Sequence, residues 1–206
     1  DACEAFIARN AAEGDPYVLN GGDTPRTAFS TGYGDRVSPE ILIHTARTHD
    51  LFGSMYHIHY FGPSIRRQNG VVNNGVGYGG GCITLNYVDK FTRTNGDPAL
   101  YSDWLKENPT KIGSLVNHPF LDRDPRLYES VCTQWDSYQG GLLHLYIGSE
   151  AQTTENSARV RTGFNVRKYL WDYNDATLFN KVPNYAYLRL PEIYLAYAEA
   201  LNEVGR

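Results

Sequence analysis

The segment Gln134-Trp135-Asp136-Ser137-Tyr138-Gln139 sets two large aromatic rings among amides and a carboxylate. The apolar C–H face of a sugar ring stacks on Trp or Tyr, while its hydroxyls bond to amide and carboxylate groups alongside. Gln134, Trp135, Asp136 and Tyr138 are therefore the first candidate ligand-binding residues. Trp135 has a second reading, as the filler of a core gap, because large aromatics are as a rule well buried. Tyr56 and Tyr60, with Phe61, form the next candidate group in YHIHYF. Trp171 and Tyr173 in YLWDYND form the third, with Trp171 the better core residue.

Other residue types point to other chemistry and carry it less far. His57 and His59 share one face of an extended segment, with His44 and His49 nearby in sequence, yet no acidic or Cys partner stands at ligand spacing, so no metal site is assigned. GVGYGG at 75–80 matches a dinucleotide fingerprint in form, but it lacks the preceding strand and the following acidic residue. Its glycines fit tight turns better. Asp122 and Asp124 flank Arg123, and paired carboxylates are what a glycosidase uses. Asp124 before Pro125, however, reads as a helix opener, with Arg123 and Arg126 close enough to neutralise the pair. Neither G-x-S-x-G nor H-E-x-x-H occurs, so no catalytic residue is assigned and no enzyme is expected. No cofactor is expected either; loop carboxylates leave calcium open, without an EF-hand loop.

The elements that must position these residues are short. In 206 residues with 41% hydrophobic content, 20 Gly and 10 Pro stand among short apolar runs, enough for a core with many turns. Charged residues make up 20%, the net charge is -4 and no Lys/Arg run occurs, which argues against a nucleic-acid partner. No apolar run of about 18 residues is present. Cys3, Cys82 and Cys132 are odd in number and far apart, so they form no disulfide framework or zinc knuckle, although one pair stays open. Tyrosine outnumbers phenylalanine 16 to 8, which suits half-exposed recognition surfaces.

A short helix is expected around CEAFIARNAAE, an extended run at Ile41–Ile43 in preference to a helix opened by Ser38-Pro39, and a helix through Leu85, Val88 and Phe91 closed by an Asn95-Gly96 turn. A strand or short helix is expected in RLYESVC, and extended segments in GGLLHLYI and TGFNVRKYLW. Residues 52–81 read as irregular loop. The segment YLRLPEIYLAYAEALNEVGR is the most helix-like: Leu190, Ile193, Tyr194, Tyr197, Leu201 and Val204 form one apolar stripe, with Glu192, Glu199 and Glu203 outside it. Ala196 and Ala200 would let another helix approach closely, so this helix looks built to sit between neighbours.

Three segments in this order, DRDPRLYESV, TGFNVRKYLW and LRLPEIYLAYAEALNEVG, resemble the SusD/RagB family of nutrient-binding lipoproteins. SPEILI and NYVDKFTRTNGDPA upstream are similar to the same family, so the resemblance runs over roughly residues 38–206. It implies a mainly helical fold of tetratricopeptide-like helices with long irregular loops and a few short strands. Residues 1–206 would be part of a single such domain, with the first helices and the last ones outside this sequence. It further implies capture of an oligosaccharide or peptide nutrient, delivered to a SusC-like TonB-dependent transporter at the outer face of the outer membrane. Attachment would be through a lipid anchor upstream of Asp1. A glycoside hydrolase using Asp122 or Asp136, or a scaffold without ligand contact, are the rival readings. Pro191 and the segment YHIHYFGPSIRRQNGVVNNGVGYGGG depart from the family pattern.

Overall fold

The computed structural model describes residues 2–19, 38–44, 80–108, 110, 112–138, 141–146, 162–168 and 186–205. The chain divides into two units, one of residues 1–49 with 182–206 and one of residues 50–181. Among the described residues helix exceeds strand, and the strands are short.

In the first unit, α1 (Ala2–Ala12) ends at Gly14 and Asp15, both at positive φ. The buried Asn10 side chain holds that end: its Nδ2 donates to the Tyr17 carbonyl at 2.9 Å and its Oδ1 accepts from the Tyr17 N–H at 3.0 Å. β1 (Ile41–His44) is extended as expected and pairs antiparallel with β6 (Ala186–Arg189). α5 (Leu190–Glu203) follows β6 without a loop.

The terminal helix begins at Leu190, the first residue of its stripe, and Tyr187, Leu188 and Arg189 at the start of the helix-like segment are strand. Pro191 sits in the first turn of the helix, where its missing N–H costs no bond, and β1 supplies an edge for the residues before it. Leu190 is buried; Ile193, Tyr197 and Leu201 are half-buried; Tyr194, Leu195 and Val204 stay exposed. α1 lies against this helix.

The second unit is built on Val88, Phe120, Leu127, Val131 and Phe164, with Ile83, Leu85, Phe91, Tyr101 and Tyr128 packed around them. α2 (Leu85–Val88) is a single turn rather than a helix reaching Phe91. Beyond it the N–H groups of Lys90 and Phe91 bond three residues back, to Tyr87 and Val88, so the coil tightens and ends. The Asn95-Gly96 turn forms, with Gly96 at φ 90° and its N–H on the Arg93 carbonyl. α3 (Tyr101–Glu107) follows, then α4 (Pro125–Ser130), which runs directly into β2 (Val131–Cys132). RLYESVC is thus both helix and strand.

β2 pairs antiparallel with β5 (Asn165–Val166), and Cys82 bridges to the other side of Asn165. Cys82 and Cys132 then stand two strand spacings apart, about 10 Å, beyond disulfide reach. Cys3, Cys82 and Cys132 form no disulfide with one another.

Asp124 caps α4 by accepting the Arg126 N–H at 2.9 Å, and the Arg126 guanidinium grips the same carboxylate at 2.5 Å. Arg123 behaves otherwise. Instead of neutralising its acidic neighbours it turns into the core, 1% exposed, and donates to the carbonyls of Phe91 (2.9 Å), Pro119 (3.0 Å) and Val88 (2.9 Å). Short elements leave such carbonyls without ladder partners, and one guanidinium fork satisfies several of them.

Replacing Arg123 by Met keeps the bulk but strands the Phe91 and Pro119 carbonyls, while Val88 keeps the Phe91 N–H. The expected loss is about 3 kcal/mol in urea denaturation. The hydrogen bonds from Arg126 hold the Asp124 carboxyl below its ordinary pKa, outweighing the opposing effect of burial. A depressed carboxylate stabilises above its unfolded pKa, and that contribution fades as pH falls through the folded value. Asp124→Ala is expected to cost about 1 kcal/mol at neutral pH, and the gap to wild type should narrow at acid pH when both are melted in parallel.

Candidate functional site

The hairpin after β2 carries the aromatic candidates. β3 (Ser137–Tyr138) pairs with β4 (Gly141–Leu142), Ser137 opposite Leu142 and Tyr138 opposite Gly141. The pairing continues inward, since the Trp135 N–H donates to the Leu143 carbonyl and the Leu143 N–H to the Asp136 carbonyl, each at 2.8 Å. A tight turn, closed by the Asp136 N–H on the Thr133 carbonyl, places Trp135 at φ 68°. That left-handed region costs an L-residue about 1–2 kcal/mol and is ordinarily left to Gly or Asn. The surrounding hydrogen bonds hold Trp135 there regardless.

Beyond β4 the chain alternates. Leu143 and Leu145 are buried, whereas His144 and Tyr146 are half-buried on the opposite face, as period-two geometry requires. That face meets Trp135. Ring centroids lie 5.1 Å apart for Trp135 and His144, 6.1 Å for His144 and Tyr146, and 6.4 Å for Trp135 and Tyr146. The three rings make one compact, half-exposed aromatic ledge. The Trp135 Nε1 donates to the Ile112 carbonyl at 3.1 Å, and the Gln134 side-chain amide donates to the same oxygen.

Asp136 is not on the ledge. Its side chain is 2% exposed and its carboxylate accepts from the Arg167 guanidinium at 2.6 Å, with Arg167 itself 6% exposed. The expected ligand role of Asp136 therefore gives way to a structural one, in which the pair clamps the hairpin to the strand end after β5. Gln134 lies beside the ledge with its amide turned toward Ile112. Tyr138 is placed in β3, and Tyr56, Tyr60, Trp171 and Tyr173 lie outside the described residues.

His144 and Tyr146 are the residues that sequence reasoning passed over. The alternation Leu143, His144, Leu145, Tyr146 was the signal that could have found them.

The carboxylates considered for acid and base roles are engaged elsewhere: Asp122 accepts from the Thr94 hydroxyl at 2.6 Å and Asp124 caps α4. His44 stands in β1, while His49, His57 and His59 lie outside the described residues. Among the described residues no group of His, Cys, Asp or Glu could hold a metal ion, and no helix is long and apolar enough to cross a membrane.

Among the described residues the site is an aromatic ledge beside carboxylates that are already engaged. The SusD family model matches residues 52–206, and the chain belongs to that family. Two crystal structures from Bacteroides fragilis are similar in fold. One, a SusD-like protein, shares 22% identity at a TM-score of 0.65, over 99% of this chain and 40% of its own. The other, a SusD-like carbohydrate-binding protein, shares 18% identity at 0.64, over 99% of this chain and 36% of its own. The chain thus spans about two-fifths of the length of these structures. No curated protein matches it in sequence.

Truncating Asp136 to Ala removes the carboxylate that a buried guanidinium faces at 2.6 Å. The expected cost is roughly 3–5 kcal/mol in chemical denaturation, against less than about 1 kcal/mol for Asp122→Ala at the exposed Thr94 contact.

Proposed function

We propose that this chain supplies the ligand-holding surface of a cell-surface carbohydrate-binding protein, with the Trp135, His144 and Tyr146 ledge as its platform. The observation that carries this reading is Trp135 itself. A bulky ring is kept half-exposed in a costly backbone conformation, beside two more rings, by hydrogen bonds that leave it little freedom. A preformed aromatic face of this kind binds sugar rings without a further ordering cost. Gln134 stands beside it as a polar partner for hydroxyls, and Tyr138, Tyr56 and Tyr60 remain proposed contributors.

The resemblance to a carbohydrate-binding relative supports a glycan over a peptide. Stacking and hydrogen bonds each contribute only about 1 kcal/mol net, so single-site binding is expected to be weak and strengthened by several subsites on one polysaccharide. In the longer protein, α1 and α5 would be rungs of a tetratricopeptide-like stack, with further helices over Leu195 and Val204. Such a protein would sit lipid-anchored on the outer face of the outer membrane and pass its ligand to a TonB-dependent transporter.

Placement argues against the hydrolase reading, because Asp136 is sealed against Arg167 and Asp122 is bonded to Thr94. A panel of neutral polysaccharides in affinity electrophoresis, with the full chain as the mobile species, tests both rivals. Retardation without released oligosaccharide, reduced about tenfold or more by Trp135→Ala, is the expected result. Equal retardation of a folded Trp135→Ala variant overturns the platform, and chain-length products would transfer the reading to hydrolysis.

A further inference from the structure

The ring of Trp135 is held by an oxygen that belongs to another loop, and one residue makes that loop possible. Ile112 offers its carbonyl to both Trp135 Nε1 and the Gln134 amide. The next residue, Gly113, sits at φ 72° and opens a tight turn in which Ser114 and Asn117 exchange backbone hydrogen bonds of 2.9 and 3.1 Å. A methyl group on Gly113 would stand 2.6 Å from the Asn117 carbonyl oxygen, and 3.2 Å from both the His118 Cβ and the edge of the Trp104 ring. The first distance is a collision with backbone, which cannot swing aside as a side chain can. Only glycine meets both the dihedral and the space.

The base of the turn is fastened as well. Asn117 donates to the Asn108 side chain at 3.2 Å, and Asn108 donates to the Trp104 carbonyl in α3 at 2.8 Å. A line of contacts therefore runs from α3 through the turn to the Ile112 carbonyl and on to Trp135. The tip of the turn plays no part in it, since Leu115 and Val116 are 51% and 83% exposed.

We infer that Gly113 is a positioning residue for the Trp135 indole: its bare backbone lets the Ile112–Asn117 turn close on Trp104 and hold the Ile112 carbonyl where Trp135 Nε1 can reach it. Its bearing on ligand capture rests on the function proposed above. Its structural content does not, and the test separates the two.

In the unmodified full chain with 15N-labelled tryptophan, the indole N–H signal of Trp135, assigned by its loss in Trp135→Phe, should exchange with solvent at least about tenfold more slowly than a free indole. Exchange at the free-indole rate overturns the inference without any variant. Gly113→Ala should remove that protection, whereas Leu115→Ala and Val116→Ala should leave it in place. Protection that survives in a folded Gly113→Ala chain also overturns it.

Retention on whichever neutral polysaccharide retards the wild type supplies the second readout. Gly113→Ala should weaken it several-fold in the wild-type background and change nothing further on Trp135→Ala. Additive losses in that cycle contradict positioning. If Trp135→Ala binds as wild type does, the proposed platform fails, while indole exchange still decides the role of Gly113.

Discussion

A carboxylate and a guanidinium 2.6 Å apart, both closed off from water, hold the aromatic hairpin in place. Asp136 belongs to the turn that carries Trp135, and Arg167 follows β5, whose partner β2 leads into that same turn. The backbone N–H of Arg167 reaches the Ser130 carbonyl at 2.9 Å, so the ion pair closes a loop that the strands have already begun. Two-residue strands cannot fix a hairpin by ladder bonds alone. A buried pair with good geometry supplies the missing constraint, and the penalty for breaking it makes the arrangement all-or-none.

The same logic recurs in the core. Elements of two to seven residues leave many carbonyls outside any helix or ladder, and each buried one needs a donor. Arg123 meets this need for Phe91 and Pro119 and adds a second donor to Val88. Tyr128 does so for the Phe120 carbonyl with its hydroxyl at 2.5 Å, while accepting the Arg123 N–H at 3.0 Å. The second unit is therefore tied as much by side chains bonded to backbone as by regular structure. Such a framework can hold a turn in a costly conformation, as Trp135 requires, because the constraints come from several directions.

Features that depend on near neighbours were legible in the sequence. The Asp124-Pro125 opener, the Asn95-Gly96 turn, the extended Ile41–Ile43 run and the Leu190 stripe each follow from residues within a few positions. Features that depend on distant partners were not. Arg123 between two aspartates reads as a surface charge, and nothing local says that it turns inward to carbonyls over 30 residues away. Asp136 beside Trp135 reads as a ligand group until Arg167, 31 residues on, is found against it. The strand at Tyr187–Arg189 was hidden by the strong helical period after it, since its partner lies near residue 41. His144 and Tyr146 were readable through alternation, but only the folded hairpin brings them to Trp135.

The role of the ledge turns on whether sugar rests on its three rings. Titrating the full chain with an oligosaccharide drawn from a retained polysaccharide, while following the ring signals of Trp135, His144 and Tyr146 by NMR, addresses that contact itself. Saturable shifts at these three rings, with saturation transferred from them to sugar C–H protons, are predicted. Bound sugar that leaves all three signals unmoved would contradict the account.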